Sequence, residues 1–215
     1  MRDIAQDVIY HVAEAMSAPE DLKTFSLVSR IFLVPSQTIL FRDIQVRFDR
    51  TQGSILAFKK FIDDHKRFAN YIHSLHLRGN RVADYPRANI TLEGLWQLII
   101  LLPVLKALTL ERFEWLPSPM STSGSYRHPA LHSISLQHIY ANSYDESPLQ
   151  VLCLVPCWER VHIFDIWHRI VVPTLWCSPF VTNTLIFDNC PYYSAKRSLV
   201  SHDHGACFGI RALAI

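Results

Sequence analysis

Ile4, Val8, Ile9, Val12 and Met16 recur every three or four residues, the spacing that lays one apolar stripe along a helix running to about Met16. Ser17-Ala18-Pro19-Glu20 has the form of a capping box, with the Ser17 hydroxyl accepting an amide of the next helix and Glu20 reaching back to the cap. Pro19 falls in the first turn, where a missing N–H is harmless. The second helix carries Leu22, Phe25, Leu27 and Val28 and ends near Arg30; Pro35 is expected to open a third, short one through Ile39, Leu40 and Phe41. At Ile44, Val46 and Phe48 the period drops to two, which predicts a strand. A helix over 54–63 follows, with Ile55, Phe58, Phe61 and Ile62 on one face.

From there one shape recurs. Ile72-His73-Ser74-Leu75-His76-Leu77 returns as Leu105-Lys106-Ala107-Leu108-Thr109-Leu110 and as Leu131-His132-Ser133-Ile134-Ser135-Leu136. Looser copies are Trp158-Glu159-Arg160-Val161-His162-Ile163 and Thr182-Asn183-Thr184-Leu185-Ile186-Phe187. The central positions 75, 108, 134, 161 and 185 lie 33, 26, 27 and 24 residues apart, near the period of leucine-rich repeats. Asn80 and Cys190 stand where that consensus wants Asn or Cys; Phe113, Ile139 and Ile166 do not match it. Thr91 is placed to cap a helix bearing Leu92, Leu95, Trp96 and Ile99, and Ser147-Pro148 one bearing Leu149, Leu152 and Val155. Strand-then-helix units of this length bury their apolar faces by stacking on one another. The fold class is therefore mixed α/β with the units stacked into a curved solenoid, against the plainer reading of an ordinary α/β domain whose strands share a pattern. Residues 118–125 and 140–147 read as loops, and 191–215 form a weakly patterned tail without a recognisable end cap.

Composition removes several functions. The chain of 215 residues is 49% hydrophobic and 19% charged with a net charge of +2, unlike a disordered segment. No basic stripe marks a nucleic-acid footprint, and six scattered glycines make no phosphate-binding loop. The longest apolar run, Leu98 to Leu105, is far short of the roughly 20 residues a bilayer span needs. An early pair of acids, Asp3 and Asp7, argues against a signal peptide, and five cysteines fit a reducing compartment. We expect a cytoplasmic or nuclear protein with no membrane or nucleic-acid partner.

Candidate chemistry is thin. Cys153, Cys157, Cys177 and Cys190 lack the two tight pairs of a structural zinc site and read as core thiols, and His202-Asp203-His204 with Cys207 falls in the tail. No nucleophile stands on a sharp turn beside a base, and Asp63-Asp64 reads as a solvated helix end. We expect neither an enzyme, nor a metal, nor a cofactor. His73, His76, His132 and His162 fall with Thr109 and Ser135 at the variable positions of the repeats; these six form the candidate target-binding face, unless the histidines fall there by chance. Such a row would make binding pH-dependent. The five tryptophans read as core or half-core.

Residues 4–44 resemble an F-box of fungal type. Ile4-Ala5-Gln6-Asp7-Val8-Ile9-Tyr10-His11-Val12 is similar to its opening, with Ala5 where the family has Pro. Phe25-Ser26-Leu27-Val28-Ser29-Arg30 resembles the second-helix signature, Phe32 stands at its Trp or Phe position, and Leu40-Phe41-Arg42-Asp43-Ile44 resembles the segment leaving the motif. The resemblance implies a three-helix F-box-like motif over 1–42, a short, irregular leucine-rich-repeat-like solenoid over 43–190, and the tail. It further implies the substrate receptor of an SCF-type (cullin-RING) ubiquitin ligase, in ubiquitin-dependent protein degradation. Ile4, Val8, Ile9, Val12, Leu22, Leu27, Val28 and Phe32 would serve adaptor contact or motif core, and the adaptor would bring the cullin. The alternative is a non-ligase interaction protein whose N-terminal helices merely cap the repeats.

Overall fold

The structure is a computed structural model describing residues 6–16, 18–48, 53–80, 88–117, 128–141, 148–155, 157–168 and 181–188. Ile4, Ser17, Ser147, residues 118–125 and the tail 191–215 lie outside them, as do Trp176, Cys177, Cys190, Cys207 and the His202–His204 cluster.

Three helices come first: α1 (Gln6–Ala15), α2 (Pro19–Val28) and α3 (Arg30–Leu40). Ile9 and Ala13 of α1 and Leu22 of α2 are buried, and Phe25 packs on Phe32 at 4.3 Å between ring centroids, tying α2 to α3. Two details correct the sequence reading. The residue capping α2 is Ala18, which offers no side-chain acceptor, while Glu20 pairs with Lys23 at 2.7 Å one turn on, not with the cap. Pro35 does not open α3 but sits inside it; Ser29 breaks the chain with an extended backbone, and α3 starts immediately after. A proline's fixed φ suits a helix, so an interior one forfeits a single hydrogen bond and bends the helix without ending it.

Fourteen further elements follow: β1 (Asp43–Phe48), α4 (Gly53–Asp64), α5 (Lys66–Ala69), β2 (Ser74–Gly79), β3 (Ala88–Ile90), α6 (Leu92–Ile99), β4 (Ala107–Glu111), β5 (Phe113–Trp115), β6 (Ser133–Gln137), β7 (Tyr140–Ala141), a 3-10 helix (Pro148–Leu154), β8 (Cys157–Phe164), β9 (Trp167–His168) and β10 (Val181–Asp188). The strands form two parallel sheets. The larger has the order β1-β2-β4-β6-β8-β10 and the smaller β3-β5-β7-β9, so every strand lies beside the one before it in its own sheet. Ile44, Leu75, Leu108, Ile134, Val161 and Leu185 fall in one row across six strands, the row on which the sequence repeat was centred.

Alternate strand residues point inward. Leu75, Leu77, Leu108, Leu110, Ile134, Leu136, Val161 and Ile163 join Leu95, Leu98 and Ile99 of α6 and the leucines of the 3-10 helix in one buried cluster. Ile55 and Phe58 of α4 pack against it; Phe61 instead stacks on Phe68 of α5, so it flanks the core. Thr91 caps α6 as its sequence predicts, accepting from Gly94 N at 3.0 Å. The segment after Ser147 coils as a 3-10 helix, not the α-helix expected, and is pinned by Trp158 Nε1 donating to Leu152 O at 2.8 Å. Trp115 and Trp158 are core residues, whereas Trp167 is exposed.

The smaller sheet has no counterpart in the sequence reading, which took Tyr140 as loop. Its strands are two or three residues long, too short for a period to show. Phe113, Ile139 and Ile166, the positions that missed the repeat consensus, are fully buried where the chain enters this sheet. Arg112, His138 and Asp165 each precede one of them with a left-handed backbone (φ 63°, 53° and 51°). Each also donates its amide to the next strand of the larger sheet: Arg112 N to Gln137 O, His138 N to Phe164 O and Asp165 N to Asp188 O. One left-handed residue per layer thus swings the chain from one sheet into the other.

Candidate binding surfaces

The N-terminal helices bury little of their apolar surface. Of the residues assigned to the motif, Ile9 and Leu22 are inside and Phe32 is half-buried on Phe25. Val8 (51%), Val12 (43%), Leu27 (84%) and Val28 (68%) are exposed, and Ile31 and Val34 of α3 join them. Burial thus sorts these residues into interior ones that hold the helices together and exposed ones that do not. Ile31 and Val34 were missed because a Pro35 start places them before the helix.

A second surface is the face of the larger sheet turned away from α4 and α6. No helix covers it among the described residues, which is unusual, since parallel sheets are generally buried on both sides. His76, Thr109, Ser135 and His162 stand side by side in a single row over β2, β4, β6 and β8. His73 and His132 belong to the rung at the strand entrances. Along that rung each residue donates its amide to the previous layer's carbonyl, in the order Arg42, His73, Lys106, His132, Glu159.

The histidines do not stand alone. His76 Nε2 meets Glu111 Oε2 at 3.0 Å, His132 meets Glu159 at 3.2 Å, His138 Nδ1 meets Asp165 Oδ2 at 2.7 Å, and His162 Nε2 meets Asp188 Oδ2 at 2.9 Å. Every one of these pairs joins one layer to the next. Glu111 also takes Arg78 Nε at 3.3 Å and Arg112 at 3.2 Å, and its side chain is only 10% exposed. The sequence marks none of these acids, because the pairing depends on register between segments 26 to 35 residues apart.

Ser135, His162 and Asp188 form a hydrogen-bonded series across β6, β8 and β10. His162 Nε2 lies 2.9 Å from Asp188 Oδ2 and its Nδ1 3.5 Å from Ser135 Oγ, and Gln137 Nε2 donates to the same Oγ at 2.9 Å. Acyl transfer also needs donors aimed at a developing oxyanion. The backbone amides of these strands are spent in the sheet ladder, and the face is open. The series ties β6, β8 and β10 together on this face. Among the described residues no group of three or more His, Cys, Asp or Glu is placed to hold a metal ion, and no helix is long and apolar enough to cross a membrane. The hollow beside α5 is lined only by the consecutive residues Asp64, His65, Lys66 and Arg67.

Two histidines are held below their ordinary pKa. Burial does most of this at His73, helped by the nearby charges of Lys106 and Arg42 and opposed by Asp43. Burial also dominates at His128, outweighing its bonds to backbone carbonyls. His128 Nε2 donates to Leu102 O at 3.0 Å, while its Nδ1 accepts from Ala130 N and Leu131 N, a pattern only the neutral ring can satisfy. Above about pH 6.5 both folded and unfolded chains carry these rings neutral; below it the unfolded chain binds protons the fold refuses. Stability therefore falls as pH drops through 6.5, at His128 by up to about 1.4 kcal/mol per pH unit and by less at the more solvated His73. Urea midpoints at pH 7.5 and 5.5 check this. His128→Asn, less stable at pH 7.5, loses less than the parent between the two; an equal loss refutes His128's role.

Comparison with protein-family models, with curated proteins and with solved structures finds no match to this chain.

Proposed function

We propose that the chain is the substrate-receptor subunit of a cullin-RING ubiquitin ligase, docking the ligase adaptor through α1–α3 and a target protein through the uncovered face of the larger sheet. On this reading the parallel array is a short, irregular leucine-rich-repeat-like solenoid. The work is positioning: tethering raises the target's effective concentration near the ubiquitin-charged enzyme. The observation that carries the proposal is the exposure of Val8, Val12, Leu27, Val28, Ile31 and Val34 on three short helices. A folded unit seldom leaves so much apolar surface in water unless a partner covers it.

The test is calorimetry of the full chain against a recombinant adaptor. Leu27→Asp places a charge where the adaptor would exclude water while leaving the interior untouched. We expect at least a hundredfold loss of affinity, with Val8→Asp behaving alike and circular dichroism unchanged. No binding by the folded parent, or parental affinity in the folded double variant, sinks the proposal.

A second reading, a non-ligase interaction protein with the helices as a cap, is favoured by the junction itself. Phe41, just past α3, packs on Phe68 of α5 at 4.3 Å, and Arg42 O accepts from His73 N and Ser74 N at 2.8 and 3.0 Å. It predicts no adaptor binding, and aggregation once residues 1–42 are removed.

A further inference from the structure

β1 forms an edge of the larger sheet, and only half of its backbone is spent there. Arg42 O accepts from Ser74 N and Ile44 stands in register with Leu75, so in this parallel ladder Ile44, Val46 and Phe48 turn their amides and carbonyls to β2. Asp43, Gln45 and Arg47 turn theirs the other way, where no hydrogen bond reaches them among the described residues. The side chains of the same three residues are exposed on the uncovered face. Neither Asp43 nor Arg47 has an ion-pair partner among the described residues; Arg47 lies instead beside Arg78, whose charge Glu111 already takes up. On the core side Ile44 and Val46 are only half-buried, whereas Leu75 and Leu77 beside them in β2 are fully buried. β1 thus lacks a ladder partner, countercharges and an apolar cover at once. Charges commonly guard an edge against pairing. Here they stand symmetrically, Asp43 two residues before Gln45 and Arg47 two after, so the strand is complementary to itself.

We propose that the chain forms a two-fold dimer through this edge, β1 pairing antiparallel with β1 of a second copy. Gln45 faces Gln45 across the axis, Asp43 of each copy faces Arg47 of the other, and Ile44 faces Val46. Each facing pair among Asp43, Gln45 and Arg47 exchanges both of its backbone hydrogen bonds, because these are the residues whose amides and carbonyls point outward. Opposite charges set directly across a strand pair stabilise it, whereas in-register parallel pairing would set like charges together. A slip of two residues leaves both charges unanswered, and a slip of one puts apolar side chains on the polar face. The contact is isologous and closes on itself, so it yields a dimer and not a filament. Both uncovered faces fall on the same side of the joined sheet. The rows that run from Gln45 through His76, Thr109, Ser135 and His162 then meet end to end, doubling the length of the open surface. One pair of short strands buries less than the roughly 1,600 Å² of a standard interface, so the dimer is expected to dissociate in the micromolar range.

Sedimentation velocity of the full chain at low ionic strength tests this. We expect dimer at about 300 µM. Asp43→Arg and Arg47→Asp each set like charges across the two-fold axis and should weaken self-association at least tenfold. Mixed one to one, the two variants oppose a pair of arginines to a pair of aspartates and should form a heterodimer at least as tight as the parent dimer, a rescue that damage to the fold cannot give. Gln45→Pro removes an amide the sheet does not use, and a proline is tolerated on an edge strand facing outward; it should leave a folded monomer. Leu27→Asp should leave the dimer intact, which separates this edge from the apolar helices and lets the adaptor reading and this one fail separately. A monomer at about 300 µM, a dimer indifferent to either charge variant, absence of the heterodimer, a dimer that survives Gln45→Pro, or its loss in Leu27→Asp overturns the proposal.

Discussion

Replacing Glu111 with Gln lowers the unfolding free energy by about 3 kcal/mol, since removing one member of a largely buried charge cluster leaves the others desolvated and unpaired. The carboxylate, at the end of β4, is shared by His76 and Arg78 of β2 and by Arg112 of the turn after β4. Glutamine keeps the shape and one acceptor oxygen but surrenders the charge, and its amide N–H2 faces donors. Arg78 and Arg112 are themselves partly wet, which holds the loss below that of a fully enclosed pair. A urea titration at pH 7.5 reads the effect; a midpoint equal to the parent's means Glu111 is an ornament of the surface. Because the cluster joins β2 to β4, the same variant should speed amide exchange in these strands before the rest of the sheet.

Gly79→Ala should cost roughly 3 kcal/mol or more, the upper range for overpacking a core. A methyl group there would stand 2.1 Å from Arg112 O, and that oxygen is backbone, which cannot swing aside as a side-chain tip can. Arg112 is held by its left-handed φ and by its amide bond to Gln137 O. The alanine variant is expected to melt well below the parent in a calorimetric scan. A melting temperature within a degree of the parent's would show that β4 slides to make room.

Much of the architecture is legible along the chain. Leu75, Leu108, Ile134, Val161 and Leu185 announce the row on which six strands align, because an inward position in a parallel sheet must stay apolar in every layer. Thr91 announces α6 for a local reason, the hydroxyl and the amide it serves being three residues apart. What stays hidden is what needs two layers at once. The short strands around Phe113 and Ile139 declare themselves only when a neighbour supplies the ladder. Glu111 is an ordinary surface acid by its local sequence, and only the register brings Arg78 and His76 to it. On the face outlined in advance, His76, Thr109, Ser135 and His162 do come together, while His73 and His132 stand three residues earlier, at the strand entrances. Pro35 misled for a different reason: a residue that commonly starts a helix is also tolerated inside one.

The strictly sequential strand order has a kinetic meaning. No ladder of the larger sheet asks the chain to close a loop longer than the 33 residues between Ser74 and Ala107. Closure entropy grows only as the logarithm of loop length, so every added layer meets nearly the same small barrier. Such an array assembles as a zipper, slow to form its first pair and quick thereafter.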